Sequence, residues 1–295
     1  MSEAVSKKVV WTAGLLGSLG LLAASACSAA PEPVAAPPAT QTPPPAASAP
    51  VPAPTAEPVA AAAPTASAEP TPAPSVAPPA PPPSRCPAGM IEIAGGEFAA
   101  GQAKRKTTVA TFCIDANETT SDEYAACVKG GGCDANRLTV CDGSTYGKPE
   151  LGKNPMVCID FPQAEAYCKA QKKRLPTSDE WEWTARAGAE ARVFPWGNDE
   201  PNDQACWGGK DGKRAGSCPI GSFLKGSSPQ GVHDLGGNVY EWTTSPSDKT
   251  STGRYGHGGS WRDSARDLFR NDRAFVFKTT YRCGFLGIRC ATEPG

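Results

Sequence analysis

The sequence predicts an α+β domain that is rich in irregular chain and stapled by disulfides. Three observations point there: three helix-capping signatures, short β-like pieces set between glycines and prolines, and eleven cysteines from Cys86 onward. Each capping signature places a Ser, Thr or Asp three residues ahead of Glu or Gln, the spacing at which the two can satisfy each other's backbone N–H groups. "TSDEYAACVKGG" starts at Thr120 with Glu123, turns Tyr124, Cys127 and Val128 to one face, and stops at Gly130. "DFPQAEAYCKAQKK" starts at Asp160 with Gln163 and turns Ala164, Tyr167 and Cys168 inward. "TSDEWEWTARAG" starts at Thr177 with Glu180 and is expected to end at Gly188. The β-like pieces are "MIEIAGGEF", "VYEW" and "LGIRC".

The domain is expected to span residues 86–295, behind two segments of another kind. In residues 1–27, Lys7 and Lys8 precede the apolar run "VVWTAGLLGSLGLLAASA", which ends at Cys27. A run this short with small residues at its end reads as an export signal. "AASAC" resembles the bacterial lipoprotein box, which makes Cys27 the lipidated residue; the plain alternative is a secretory signal. Anchoring needs more than one acyl chain, and a multiply acylated Cys27 would supply that. Ser28 stands where aspartate would signal inner-membrane retention, which favours an outer membrane. Residues 28–85 are almost wholly Pro, Ala, Ser, Thr and Val, a composition that cannot bury a core. As polyproline II such a stalk would reach roughly 100 to 180 Å.

Charge and cysteine usage exclude several functions. Of 29 basic residues, removing Lys7, Lys8 and Arg85 leaves 26; of 30 acidic ones, removing Glu3, Glu32, Glu57 and Glu69 also leaves 26. A neutral domain lacks the basic footprint that phosphate binding requires, so nucleic acid is excluded. Cysteine density with an export signal implies disulfides, and two histidines with no CxxC pair argue against zinc. Short spacings suggest Cys127 with Cys133 and Cys206 with Cys218. Eleven is odd, and Cys283 is the candidate left over.

The order of motifs is more specific than any one of them. "IAGGEFAAG", "FCIDANETTSDEY", "NPMVCIDFPQAEAYCKAQKKRLPTSDEWEWTARAG", "FPWGND", "GVHDLGGNVYEW", "GGSW" and "LGIRCA" follow one another through the domain. This series resembles the formylglycine-generating enzyme family, also called the sulfatase-modifying factor domain. The resemblance implies a variant of the C-type-lectin-like fold. It also implies oxidation of a sulfatase cysteine to formylglycine by O₂ and copper, the copper held by two thiolates, soft ligands for a soft ion. The family's cysteine positions fall on Asp263 and Leu268, and neither side chain carries sulfur. By the same resemblance Cys168 and Cys290 form a disulfide, whereas Ala185 and Arg273 stand where the family has another.

"HDLGGNVYEW" matches a family calcium site, with carboxylates from Asp234 and Glu241 and carbonyls from Gly237 and Val239. A second family calcium site begins with Asn, and Ala205 replaces it here. The expectation is a calcium-stabilised binding module without copper. Its groove, lined by Tyr240, Ser260, Trp261, Asp263 and Arg266, would take a protein, peptide or glycan at the cell surface. For these side chains and for Arg262, Asp267 and Arg270, the plain alternative is a solvated loop. The alternative function is an active formylglycine-generating oxidase. Iron-dependent sulfoxide synthesis, known among relatives of this domain, needs three histidines where the chain has two. Ser260 and His257 suggest no catalytic triad, since nothing in the sequence orients the imidazole.

Overall fold

The computed structural model describes residues 85–247 and 252–295, so Cys27, the expected export signal and nearly all of the expected stalk lie outside the described residues. The chain begins with β1 (Met90–Ile93), β2 (Gly96–Ala100), β3 (Arg105–Val109) and β4 (Phe112–Asp115), followed by α1 (Ser121–Lys129), α2 (Phe161–Ala170) and α3 (Ser178–Ala185). Then come β5 (Tyr240–Pro246), β6 (Gly253–His257), β7 (Ala274–Lys278), β8 (Leu286–Gly287) and β9 (Ala291–Thr292). β1, β4 and β9 form a three-stranded sheet, β2 and β3 a hairpin, and the third sheet has the order β7-β6-β5-β8. The long connections between α1 and α2 and between α3 and β5 are irregular apart from short 3₁₀ turns, as the punctuated sequence predicts.

All three helices start at the expected caps. Thr120 and Thr177 each accept from the backbone N–H three residues on, and Glu123 and Glu180 return the bond to the cap N–H. At α2 only half of the arrangement forms. Asp160 accepts from the Gln163 N–H, but the Gln163 amide is drawn instead to the Asn136 carbonyl (3.0 Å) and to Arg282. The third helix stops earlier than Gly188, because Ala187 already takes the left-handed conformation (φ 54°). Gly188 opens a 3₁₀ turn pressed on Trp183, where an added Cβ would lie 2.9 Å from the indole.

Two large apolar clusters carry the fold. One packs Tyr240, Trp242, Phe275 and Phe277 of the third sheet against Tyr167 and Cys168 of α2. The other sets Trp181 and Trp183 of α3 against Ile93, Phe112 and Ile114. Five disulfides span the described residues: Cys86–Cys113, Cys127–Cys133, Cys141–Cys158, Cys168–Cys290 and Cys206–Cys218. Cys168–Cys290 joins α2 to the C-terminal segment across 122 residues, so it restricts the unfolded chain more than the short loops do. Where the family's other disulfide is missing, Asn271 ties the segment ahead of β7 to the end of α3. Its amide donates to the Ala185 carbonyl at 2.8 Å from a fully buried position.

Candidate functional site

Two glycine-rich turns build the site by zipping together. The Gly237 N–H donates to the Gly258 carbonyl (2.8 Å), and the Trp261 N–H donates to the Asn238 carbonyl (2.8 Å). Glycine is required at Gly259: φ is 73°, and a Cβ there would meet the Phe269 ring at 2.6 Å. The turn thereby drives Ser260 beneath the surface, with the 3₁₀ turn Arg266–Phe269 above it.

Ser260, fully buried, donates from Oγ to Asp263 Oδ2 at 2.8 Å, and the Asp263 N–H returns to the Ser260 carbonyl at 3.1 Å. The buried Tyr240 hydroxyl lies beside the same carboxylate without a well-aligned hydrogen bond to it. Burial raises the Asp263 carboxyl above its ordinary value, against the pull of Ser260, Tyr240 and Arg262. Burial, and then the Asp263 charge, pushes the Tyr240 phenol well up. Leu268 at the family's second cysteine position bridges two apolar clusters, a role its hydrocarbon chain suits. Cys283 stays outside the disulfides, is buried, and lies near enough to Tyr240 to act on its ionisation. With the other domain cysteines bonded in pairs, no second thiol joins it.

Tyr240, Ser260 and Asp263 therefore meet, whereas two other expected groove residues turn elsewhere. Trp261 is half-buried and donates from Nε1 to the Gly284 carbonyl at 2.9 Å. Arg266 leaves the group: it faces Glu200 at 2.7 Å and lies over the Phe194 ring. Neighbouring charges behave as a surface loop, with Arg270 on Asp272 at 2.9 Å. His257 is not a partner of Ser260. It stacks on Trp181, meets Ser178 Oγ at 2.6 Å, and is pushed down to about 3 by burial, hence neutral.

The turn expected to hold calcium contains a fixed internal cation instead. Arg289, with no exposed surface, donates from Nε and Nη2 to both Glu241 oxygens (2.7 to 3.1 Å), and Trp181 Nε1 adds a fourth contact at 2.7 Å. A carboxylate offers about four lone-pair positions, and these three N–H groups take most of those on Glu241. Asp234 accepts from the Gly221 N–H at 2.6 Å. Gly237 and Val239, expected to give carbonyls, donate their N–H groups to the Gly258 carbonyl and to Glu118 (3.3 Å), which fixes the backbone of the turn. Two of the four expected ligands are thus already engaged, Glu241 by Arg289 and Trp181 and Asp234 by Gly221, and no group of three or more His, Cys, Asp or Glu suited to a metal occurs among the described residues. Sequence reasoning missed Glu118 and Arg289, although both stand inside quoted motifs. Glu118 accepts from the Asn238 amide at 2.6 Å, and burial followed by repulsion from Asp234 and Glu241 raises its carboxyl well above the usual range.

The copper pair is likewise unsupported by the donor set, because an oxygen acid and a hydrocarbon stand where thiolates are needed. Fold and site thus define a domain of the formylglycine-generating-enzyme type whose glycine–serine rim surrounds a carboxylate. PvdO from Pseudomonas aeruginosa superposes with a TM-score of 0.58 at 23% identity, covering 69% of this chain and 94% of that one. CarF gives 0.59 at 18% identity, covering 70% and 98%. Both show likeness of fold alone. The sulfatase-modifying factor enzyme 1-like domain matches residues 76–294, and the chain belongs to that family. Inactive C-alpha-formylglycine-generating enzyme 2 of Bos taurus is 39% identical over 170 residues, 52% of this chain and 55% of that protein. Formylglycine-generating enzyme of Mus musculus is 37% identical over 103 residues, 31% and 27% of the two chains. The chain spans about half the length, or less, of these curated relatives.

Proposed function

We propose that this protein is a binding module of the family rather than a copper oxidase, exported and lipid-anchored through Cys27. The observation that carries the reading is the pair Asp263 and Leu268 at the two positions where the family resemblance places thiolates. Similarity to a relative named as inactive supports it. Five disulfides support an oxidising compartment, and the signal-like residues 1–27 with the stalk support display away from a membrane, the outer one where two exist. The ligand class is a peptide or glycan at the cell surface, met at the rim of Trp261, Arg262 and Asp263. In this reading Arg289, not calcium, holds the glycine turn beneath that rim.

The deciding experiment incubates the purified full chain with Cu(I), O₂ and a peptide carrying a sulfatase cysteine motif, and follows product mass. No formylglycine is expected. Turnover with stoichiometric copper uptake overturns the binding-module reading in favour of the oxidase. Acylation is tested separately by radiolabelled palmitate incorporation, which Cys27→Ala should abolish.

A further inference from the structure

Beside the Arg262–Asp263 backbone lies a cleft that the reading above leaves unused. It has a volume of about 600 Å³, the size of small-ligand sites, and Asn202, Trp207, Gly208, Lys210 and Arg214 line it. The cleft wall is joined to the rim, since the Gly208 N–H donates to the Asp263 carbonyl at 2.9 Å. A Cβ on Gly208 would come within 2.9 Å of that same oxygen, so only glycine permits the approach.

The lining is cationic and contains no acid. Acids on the same loop already face other cations: Asp203 meets Lys225 at 2.6 Å, and Asp211 meets Lys213 at 3.8 Å. Lys210 enters none of the ion pairs among the described residues. Arg214 is held in place before any ligand arrives. Its Nε donates to the Trp207 carbonyl (2.8 Å), Nη1 reaches Cys218 Sγ of the Cys206–Cys218 disulfide (3.1 Å), and the guanidinium lies 5.8 Å from the Phe223 ring. Nη2 makes no hydrogen bond among the described residues. A fixed guanidinium fork with donors to spare is suited to a planar carboxylate, and little freedom is lost on binding. A sugar ring is less well served. Trp207 is buried, its indole edge-on to Phe269 and its Nε1 on the Asn202 carbonyl, so no open aromatic face is offered for stacking.

We propose that this cleft binds the carboxylates of an acidic peptide segment, with Arg214 as the oriented ligand and Lys210 as the second cation. The inference rests on the binding-module reading for its place beside the rim. Its test is separate: turnover of a sulfatase peptide would sink that reading without touching this cleft, and failure here leaves that reading standing.

The test is fluorescence anisotropy of a labelled hexaglutamate peptide with the full chain in low salt. Arg214→Lys, which keeps the charge and loses the fork, should weaken binding about tenfold. Lys210→Gln should weaken it by a smaller factor, and Lys129→Gln on α1 should leave it unchanged. Lys210→Gln removes no contact of the fold, so it stays informative if Arg214→Lys is unstable. Equal affinity in wild type and both cleft variants, or no binding by wild type, overturns the proposal. Tighter binding of oligogalacturonate, lost in the same variants, also overturns it and assigns the cleft to an acidic glycan.

Discussion

Two buried carboxylate clusters lie under adjoining glycine turns, and they are built differently. Beneath Gly236–Gly237, Glu118, Asp234 and Glu241 gather around one buried guanidinium, Arg289, which also donates from Nη2 to the His233 carbonyl at 2.7 Å. Beneath Gly258–Gly259, Asp263 sits with Ser260 and Tyr240, and its cation Arg262 is on the exposed side, 4.9 Å over the Phe285 ring. The first cluster is sealed, with Arg289 paired to Glu241 while burial and acidic neighbours raise Glu118 and Asp234. The second keeps an acid at the edge of solvent with its ionisation perturbed, as groups that meet ligands often are. The lesson is that carboxylate number does not distinguish a metal or ligand site from a structural one; the neighbouring cation does.

The largest effect should come from breaking the sealed cluster. Arg289→Met leaves Glu241 buried without its partner, and such losses cost about 3–5 kcal/mol. Urea denaturation should show a large drop in midpoint, and a shift of only a few tenths of a molar would mean that the cluster is not held by Arg289. An intermediate effect is expected from pH. Glu118 and Asp263 both have folded-state values raised by burial, so each ionises in the folded protein at a cost to stability. For a raised group the stabilising contribution is complete below the unfolded value of about 4 and is lost as pH rises through the folded value. Asp272, lowered by Arg270 and Lys104 despite its burial, runs the other way and loses its contribution on acidification. Asp263→Asn should therefore flatten part of the decline in urea midpoint as pH rises above about 4 and leave the fold intact at neutral pH. A variant whose profile retains the full wild-type slope argues that Asp263 is not raised. The smallest effect is expected from calcium. Millimolar calcium or EDTA should leave the melting temperature unchanged, because Arg289 and Trp181 already hold Glu241; a rise of several degrees with calcium would restore a metal to the turn.

Much of the fold was legible because its signals are local. Thr120 with Glu123, Asp160 with Gln163 and Thr177 with Glu180 act across three residues, and the three helices begin where those pairs stand. Cys127–Cys133 and Cys206–Cys218 followed from short spacings, while Cys168–Cys290 followed only from family likeness. Cys86–Cys113 and Cys141–Cys158 were not assigned, since spacing carries no preference once several partners are equally near. The site was legible in part. Tyr240, Ser260 and Asp263 do meet, but Arg266, the first residue of a 3₁₀ turn, faces Glu200 instead. Glu241 turned out to answer to a residue 48 positions away.

Alone, the sequence determined where the helices start and that no thiolate stands at Asp263 or Leu268. Those conclusions depend on residue type and on neighbours within one turn of chain. Tertiary structure decided which charges are compensated: Arg289 on Glu241, Lys225 on Asp203, Arg214 beside an open cleft. The reason is physical, since a buried carboxylate has few lone pairs and the first well-placed donor takes them. Which donor that is depends on distances between segments far apart in the chain.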